Sequence, residues 1–204
     1  MPRIDTLLLD LGNVLVFHDN ALLVRNLAER AAADPAPLTE ALRGELSVMI
    51  NEGALSPNAI REEVCRLLGG VNIPMPEFFE LWSSHFTLNE AVFPRIDQLA
   101  ESKRVKLVLV SNTNALHWEW LLPRVPVLRH FTACVVSHEV HAAKPRPEIF
   151  HEALFQARTP PTRAAFFDDI PEYVAAASAL GIHGRVFTTA EHFDVQLREL
   201  GFIP

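Results

Sequence analysis

Hydrophobic residues follow two different rhythms along this chain. In residues 4–9, 105–110, 133–136 and 164–167 they form short, nearly continuous runs rich in Val, Leu and Phe, and a fifth, weaker run covers 185–187. Apolar runs of this length without alternation fit strands covered on both faces, as in a parallel sheet. Between them, residues 94–102, 116–122, 147–157 and 172–180 carry apolar positions at helical spacing, and Gly181 is placed to close the last as a C-cap. Strands alternating with helices predict an α/β domain with a doubly wound parallel sheet.

Between Val16 and Val92 the alternation stops, and residues 21–33, 37–50, 57–68 and 76–86 read as helix after helix. Ser56 before Pro57 is an N-cap signal, and Gly69-Gly70 is a stop. The expected organisation is a catalytic core made of residues 1–15 and 93–204, with a helical cap subdomain, 16–92, inserted after the first strand. In open α/β sheets ligands bind outside the carboxyl ends of the strands, so an insertion there can act as a lid.

Composition narrows the function. A chain of 204 residues amounts to one domain with a modest insertion, and 49% hydrophobic residues suffice for a sizeable core. A net charge of −7, with three lysines against fifteen arginines, lacks the basic excess of nucleic-acid binders. Cys65 and Cys134 match no metal spacing and read as buried free thiols, which fits a reducing cytoplasm. Asp10 interrupts the first apolar run far short of the roughly 18 residues a membrane helix needs, so a cytoplasmic protein without membrane contact is expected.

The ends of the runs carry the chemistry. Asp10 projects a carboxylate from the first strand into Leu11-Gly12-Asn13-Val14, where a nucleophile would stand. Ser111-Asn112-Thr113-Asn114 places hydroxyl and amide groups at a helix start, where free N–H groups favour an anion. Lys144 offers a compact charge suited to phosphate. Asp168 and Asp169 are adjacent carboxylates that repel unless a cation holds them, and magnesium takes such oxygen ligands together with phosphate oxygens. In this order the groups describe magnesium-assisted phosphoryl transfer.

These motifs, Asp10-Leu11-Gly12-Asn13-Val14, Ser111-Asn112-Thr113-Asn114, Lys144-Pro145 and Asp168-Asp169, resemble the four ordered motifs of the haloacid dehalogenase (HAD) superfamily. Together with Asn51-Glu52-Gly53-Ala54-Leu55-Ser56, they are most similar to the bacterial α-D-glucose-1-phosphate phosphatase group and, more distantly, to the phosphatase domain of soluble epoxide hydrolases. The resemblance implies a Rossmann-like core, an aspartyl-phosphate intermediate on Asp10 and a magnesium ion. It further implies that Ser111 and the backbone of Asn112 bind the phosphoryl group and that Lys144 neutralises nucleophile and phosphate. Asp10, the carbonyl of Gly12 and Asp169 would hold the metal, with Asp168 beside it, orienting Lys144 or a metal-bound water. The substrate would be a small phosphorylated metabolite, a sugar phosphate among the candidates.

Two positions depart from the pattern. Gly12 stands where most phosphatases of the superfamily carry an acid–base Asp, and Tyr173 where related sequences often carry an Asn. The glycine leaves two alternatives open, a dehalogenase-type hydrolase and a catalytically weak phosphate-binding module. Against the dehalogenase stand the acidic pair, which suits a metal, and the absence of an aromatic residue at position 12. His18 and Asp19 are within reach of a leaving group, with a linker role the simpler expectation. The spacing of His138 and His141 is not that of a helical zinc pair. Trp118 and Trp120 are expected to pack in core or cap, and Trp82 either to line the pocket from the cap or, the stronger expectation, to pack at the cap surface.

Overall fold

The computed structural model describes residues 4–203. The chain enters through β1 (Thr6–Leu9) and passes by β2 (Val16–His18) into α1 (Asn20–Ala31), α2 (Ala36–Arg43), α3 (Glu45–Asn51), α4 (Pro57–Leu67) and α5 (Met75–Ser83). It returns through β3 (Phe86–Leu88) to α6 (Phe93–Glu101), β4 (Lys106–Ser111), α7 (Ala115–Leu121), β5 (Ala133–Val136) and α8 (Ser137–Val140). The remaining elements are α9 (Pro147–Ala157), β6 (Ala164–Asp168), α10 (Pro171–Ala179), β7 (His183–Val186) and α11 (Ala190–Glu199).

Five parallel strands form one sheet in the order β5-β4-β1-β6-β7. β1 lies at its centre, with Leu8 flanked by Val108 and Phe166. Successive side chains leave a strand on opposite faces. Leu7, Leu9 and Phe167 accordingly pack with α6 and α11 through Ile96 and Phe193, while Leu8, Val108 and Phe166 pack with α9 and α10 through Phe150 and Ala177. Burial on both faces is why the strands read as unbroken apolar runs. The fifth strand begins earlier than its apolar residues suggest, at His183. It is half-buried at the sheet edge, and a Cβ on Gly184 would lie 2.8 Å from Val174 Cγ1, so the strand rests directly against α10.

The inserted helices bury an apolar cluster of their own, including Leu27, Leu38, Ile60, Val64, Phe78 and Trp82, which Leu116 of α7 joins from below. Two expectations need correction here. The helix anticipated over 37–50 is two helices, because Gly44 adopts an extended backbone (φ −111°, ψ −148°) and turns the chain between α2 and α3. The helix anticipated over 76–86 stops at Ser83, and the chain then enters β3, which pairs antiparallel with β2 through Val16–Leu88, Phe17–Thr87 and His18–Phe86. A three-residue strand with an exposed Phe17 presents no apolar run to detect. Cys65 is buried, but Cys134 only half so, and both are free thiols. No helix among the described residues is long and apolar enough to cross a membrane.

Candidate active site

Parallel strands share one carboxyl edge, and the sheet brings Asp10, Ser111 and Asp168 to it from β1, β4 and β6. Lys144, on the loop between α8 and α9, reaches into the same place. Its Nζ lies 2.6 Å from Asp10 Oδ1 and 2.6 Å from Asp168 Oδ2, and its side chain is 1% exposed. The main chain of Lys144 is clasped by Asn112, whose Nδ2 donates to its carbonyl at 2.9 Å and whose Oδ1 accepts from its N–H at 2.7 Å. The same amide donates to the Tyr173 hydroxyl at 3.4 Å, and the Tyr173 ring lies beside the ammonium, its centroid 5.3 Å away. Burial alone would favour a neutral amine, but Asp10 and Asp168 outweigh it and raise the pKa of Lys144.

The carboxylates are not equivalent. Asp168 is fully buried, with Oδ2 on Lys144 and Oδ1 accepting from Ile170 N at 2.8 Å, so both of its oxygens are engaged. Asp169 is half-buried and accepts from Asn13 Nδ2 at 2.9 Å. Asn13 holds that position from a left-handed backbone (φ 53°), a conformation Asn adopts more readily than most residues. Asp10, Asp168 and Asp169 each offer an oxygen within 4.8 Å of the others, an all-oxygen donor set of the kind hard divalent cations take. Burial pushes the Asp10 carboxyl up to about 7, with Asp168 reinforcing the shift and Lys144 opposing it.

Between these groups and the inserted helices lies a cavity of about 280 Å³, which Gly12, Ser111 and Asn112 also line. Trp82 forms part of its wall and is not a surface residue: it is buried, stacks on Phe78, and donates from Nε1 to Asn114 Oδ1 at 3.3 Å. Asn114 Oδ1 also accepts from His117 N, so its Nδ2 is the donor to His117 Nδ1 at 2.9 Å. His117 Nε2–H in turn donates to the Trp82 carbonyl at 3.0 Å, which makes this imidazole neutral. Burial, then the neighbouring His85, push His117 down to about 3. Burial, then His18, push His85 down to about 4.

Of the two linker residues only His18 enters the cavity, its Nε2 3.5 Å from Asn13 Nδ2. Asp19 instead caps α1, accepting from Ala21 N and Leu22 N at 2.9 and 3.1 Å. His138 and His141 spend their Nδ1 atoms on the carbonyls of Thr113 and Glu52, at 3.0 and 2.9 Å, and belong to no candidate metal group among the described residues. Trp118 packs against the sheet core, and Trp120 bridges to α5 by donating from Nε1 to Glu80 Oε2 at 2.9 Å. Sequence reasoning named Asn13 and Asn114 only as members of their motifs and assigned no role to His85 or His117. An Asn directly after the glycine of a strand-end loop was the one available signal, since the other three acquire their surroundings only when α5 meets α7.

The sheet order, the four strand ends and the helical insertion are those of a hydrolase of the haloacid dehalogenase type. The family profile of haloacid dehalogenase-like hydrolases matches residues 4–181, and the chain belongs to that family. Among curated relatives, a D-ribitol-5-phosphate phosphatase of Bacteroides thetaiotaomicron is 25% identical over 186 residues, covering 87% of this chain and 89% of that protein. A phosphorylated carbohydrates phosphatase of Thermotoga maritima is 30% identical over 105 residues, a match spanning 52% of this chain and 46% of that protein. A HAD family enzyme of B. thetaiotaomicron, solved with magnesium and inorganic phosphate, superposes with a TM-score of 0.77 at 26% identity, covering 91% of this chain and 93% of that one. A HAD-like hydrolase of Porphyromonas gingivalis shares the fold with a TM-score of 0.82 at 24% identity, over 98% and 99% of the two chains.

Proposed function

We propose that this hydrolase is a magnesium-dependent phosphatase of a small phosphorylated metabolite, a sugar or polyol phosphate, working through an aspartyl phosphate on Asp10. The observation that carries the reading is the buried Lys144 held between Asp10 and Asp168 beside a third carboxylate. A cation fixed there offsets the repulsion between the Asp10 carboxylate and an incoming phosphate. The relatives named as carbohydrate and polyol phosphate phosphatases support it, as does a cavity at the small end of the ligand-pocket range.

The donor set fits magnesium, since it consists of carboxylates alone. Asp10, the Gly12 carbonyl and Asp169 would hold the ion, because Asp168 already has both oxygens occupied. Bound there, magnesium supplies charge neutralisation for the phosphoryl oxygens. The residues do the rest. Lys144 anchors Asp10, one of whose carboxylate oxygens forms the bond to phosphorus as the bond to the leaving oxygen breaks, the other being the one that would face the metal. Ser111 and the backbone of Asn112 receive the phosphoryl group. His18, on the Gly12 side of Asp10, gives a proton to the leaving oxygen and later takes one from the water that releases phosphate. Residues 16–92 act as the cap that closes the cavity over the substrate.

Hydrolysis of p-nitrophenyl phosphate with magnesium, abolished by excess chelator and restored by added metal, is the expected result. Full activity in chelator would overturn the reading.

A further inference from the structure

Two stretches singled out in the sequence take no part in the chemistry above: residues 51–56 of the insertion, and the pair His138 and His141. The fold seats one on the other. Gly53 (φ +69°) lies so close to α8 that a Cβ there would come within 2.3 Å of His138 O, and only a glycine fits the contact. The two cap carbonyls before it are taken up by the core: Ser137 Oγ donates to Asn51 O at 2.5 Å, and His141 Nδ1 to Glu52 O at 2.9 Å. Arg146 adds an ion pair to Glu52 at 3.2 Å. His141 makes its bond from a left-handed backbone (φ 53°), where glycine would be the easier residue, and it is the imidazole ring that reaches the cap.

Ser137 also holds the loop after β4. Its Oγ accepts from Thr113 N at 2.9 Å, and Thr113 O lies 3.0 Å from it. A hydroxyl has one hydrogen to give. With the cap edge in place that hydrogen goes to Asn51 O, the nearer acceptor, while Thr113 O is served by His138 Nδ1 at 3.0 Å. With the cap edge lifted, Thr113 O is the acceptor within reach. Ser137 is fully buried, and the groups it joins both line the cavity, Asn51 from the cap and Thr113 from the core.

We infer that Ser137 is a positioning residue that couples the two halves of the site, setting the Ser111–Asn114 loop in its phosphate-binding form when the cap edge at Asn51 is seated. This rests on the phosphatase reading, in which that loop receives the phosphoryl group. The hydroxyl with its two alternative acceptors is the two-state element such a coupling needs. Loosening the cap edge then weakens phosphate binding without touching a group that meets phosphate.

Inorganic phosphate is the probe, because it needs only the phosphoryl end of the cavity. Its dissociation constant is measured by titration calorimetry with magnesium for the parent, His141→Gly, Ser137→Ala and the double variant. His141 is exposed and its backbone suits glycine, so the first variant keeps the fold while losing the bond to Glu52. It should bind phosphate about fivefold or more weakly than the parent, with KM for p-nitrophenyl phosphate rising alongside. In the Ser137→Ala background the same change should make less than about a twofold difference, since the link is already cut. Should Ser137→Ala fail to fold, Arg146→Ala, which frees Glu52 from its other side, must weaken phosphate binding as His141→Gly does. No loss in His141→Gly, an equal loss with and without Ser137, or indifference to Arg146→Ala would overturn the inference and leave the phosphatase reading standing. A parent that binds no phosphate and hydrolyses no ester would overturn both.

Discussion

His18 stands over Gly12: a Cβ built on that glycine would lie 3.3 Å from His18 Cδ2, 3.4 Å from His18 Nε2 and 3.9 Å from Asp10 Oδ2. The imidazole therefore occupies the space that a side chain at position 12 would enter. His18→Gln should lower kcat/KM on alkyl phosphates by about 10²-fold and on p-nitrophenyl phosphate far less, because only a poor leaving group needs the proton. Gly12→Asp alone must push the imidazole aside, so it should add little. With His18→Ala it has room and should restore much of the lost rate. Equal losses on both kinds of ester in His18→Gln would remove His18 from the proton path.

Asp10→Asn should abolish turnover, since an amide cannot form the acyl phosphate, yet the protein should melt no lower than the parent. Lys144 keeps its bond to Asp168, and the variant removes a carboxylate whose charge burial disfavours. Activity and thermal melting in metal-free buffer check the two halves separately. A marked fall in melting temperature would show that the Asp10–Lys144 pair holds the fold.

The two adjacent aspartates should separate by what they lose. Asp169→Ala should weaken magnesium activation at least tenfold with little effect on melting, for it has one partner, Asn13, and stands at the cavity. Asp168→Ala strips a fully buried Lys144 of one of its two carboxylates and leaves Ile170 N unpaired, and should cost about 3–5 kcal/mol of stability. Magnesium titration of activity and denaturant unfolding decide it, and the reverse pattern would exchange the roles assigned to the pair.

Acid should loosen the contact between α5 and α7. His117 is held far below its ordinary 6.5, at about 3, so below pH 6.5 the unfolded chain binds a proton that the folded one refuses. Its contribution is complete above pH 6.5 and is lost as pH falls towards 3, at no more than about 1.4 kcal/mol per pH unit. His117→Gln should flatten the stability profile between pH 6 and 4. The check is unfolding free energy across that range, and an unchanged slope would clear His117 of the effect.

The central strands were legible because burial on both faces writes itself into sequence as uninterrupted apolar runs, and Asp10, Ser111, Lys144 and Asp168 were legible because each ends or follows such a run. The ribbon of β2 and β3 was not, for its stability comes from pairing across the whole insertion and not from local pattern. The break at Gly44 hid inside a helical rhythm, since an isolated glycine is tolerated within many helices. For Trp82 surface packing outweighed pocket lining in the sequence because its partner, Asn114, lies 32 positions away on another element. The different surroundings of Asp168 and Asp169 come from Ile170 N and Asn13, which no spacing rule connects to them.

The pairing of Val16 with Leu88 means that the chain leaves the sheet and comes back to it at neighbouring points. From the standpoint of β1 and α6 the whole helical excursion is one long hairpin loop, entered and left through a single doorway. Helices between those two positions can lengthen, shorten or be exchanged for others without moving a hydrogen bond of the parallel sheet. On the proposed mechanism such an exchange would start after His18 and end before Phe86, so that Asp10 and His18 stay together while the helices lining the rest of the cavity change.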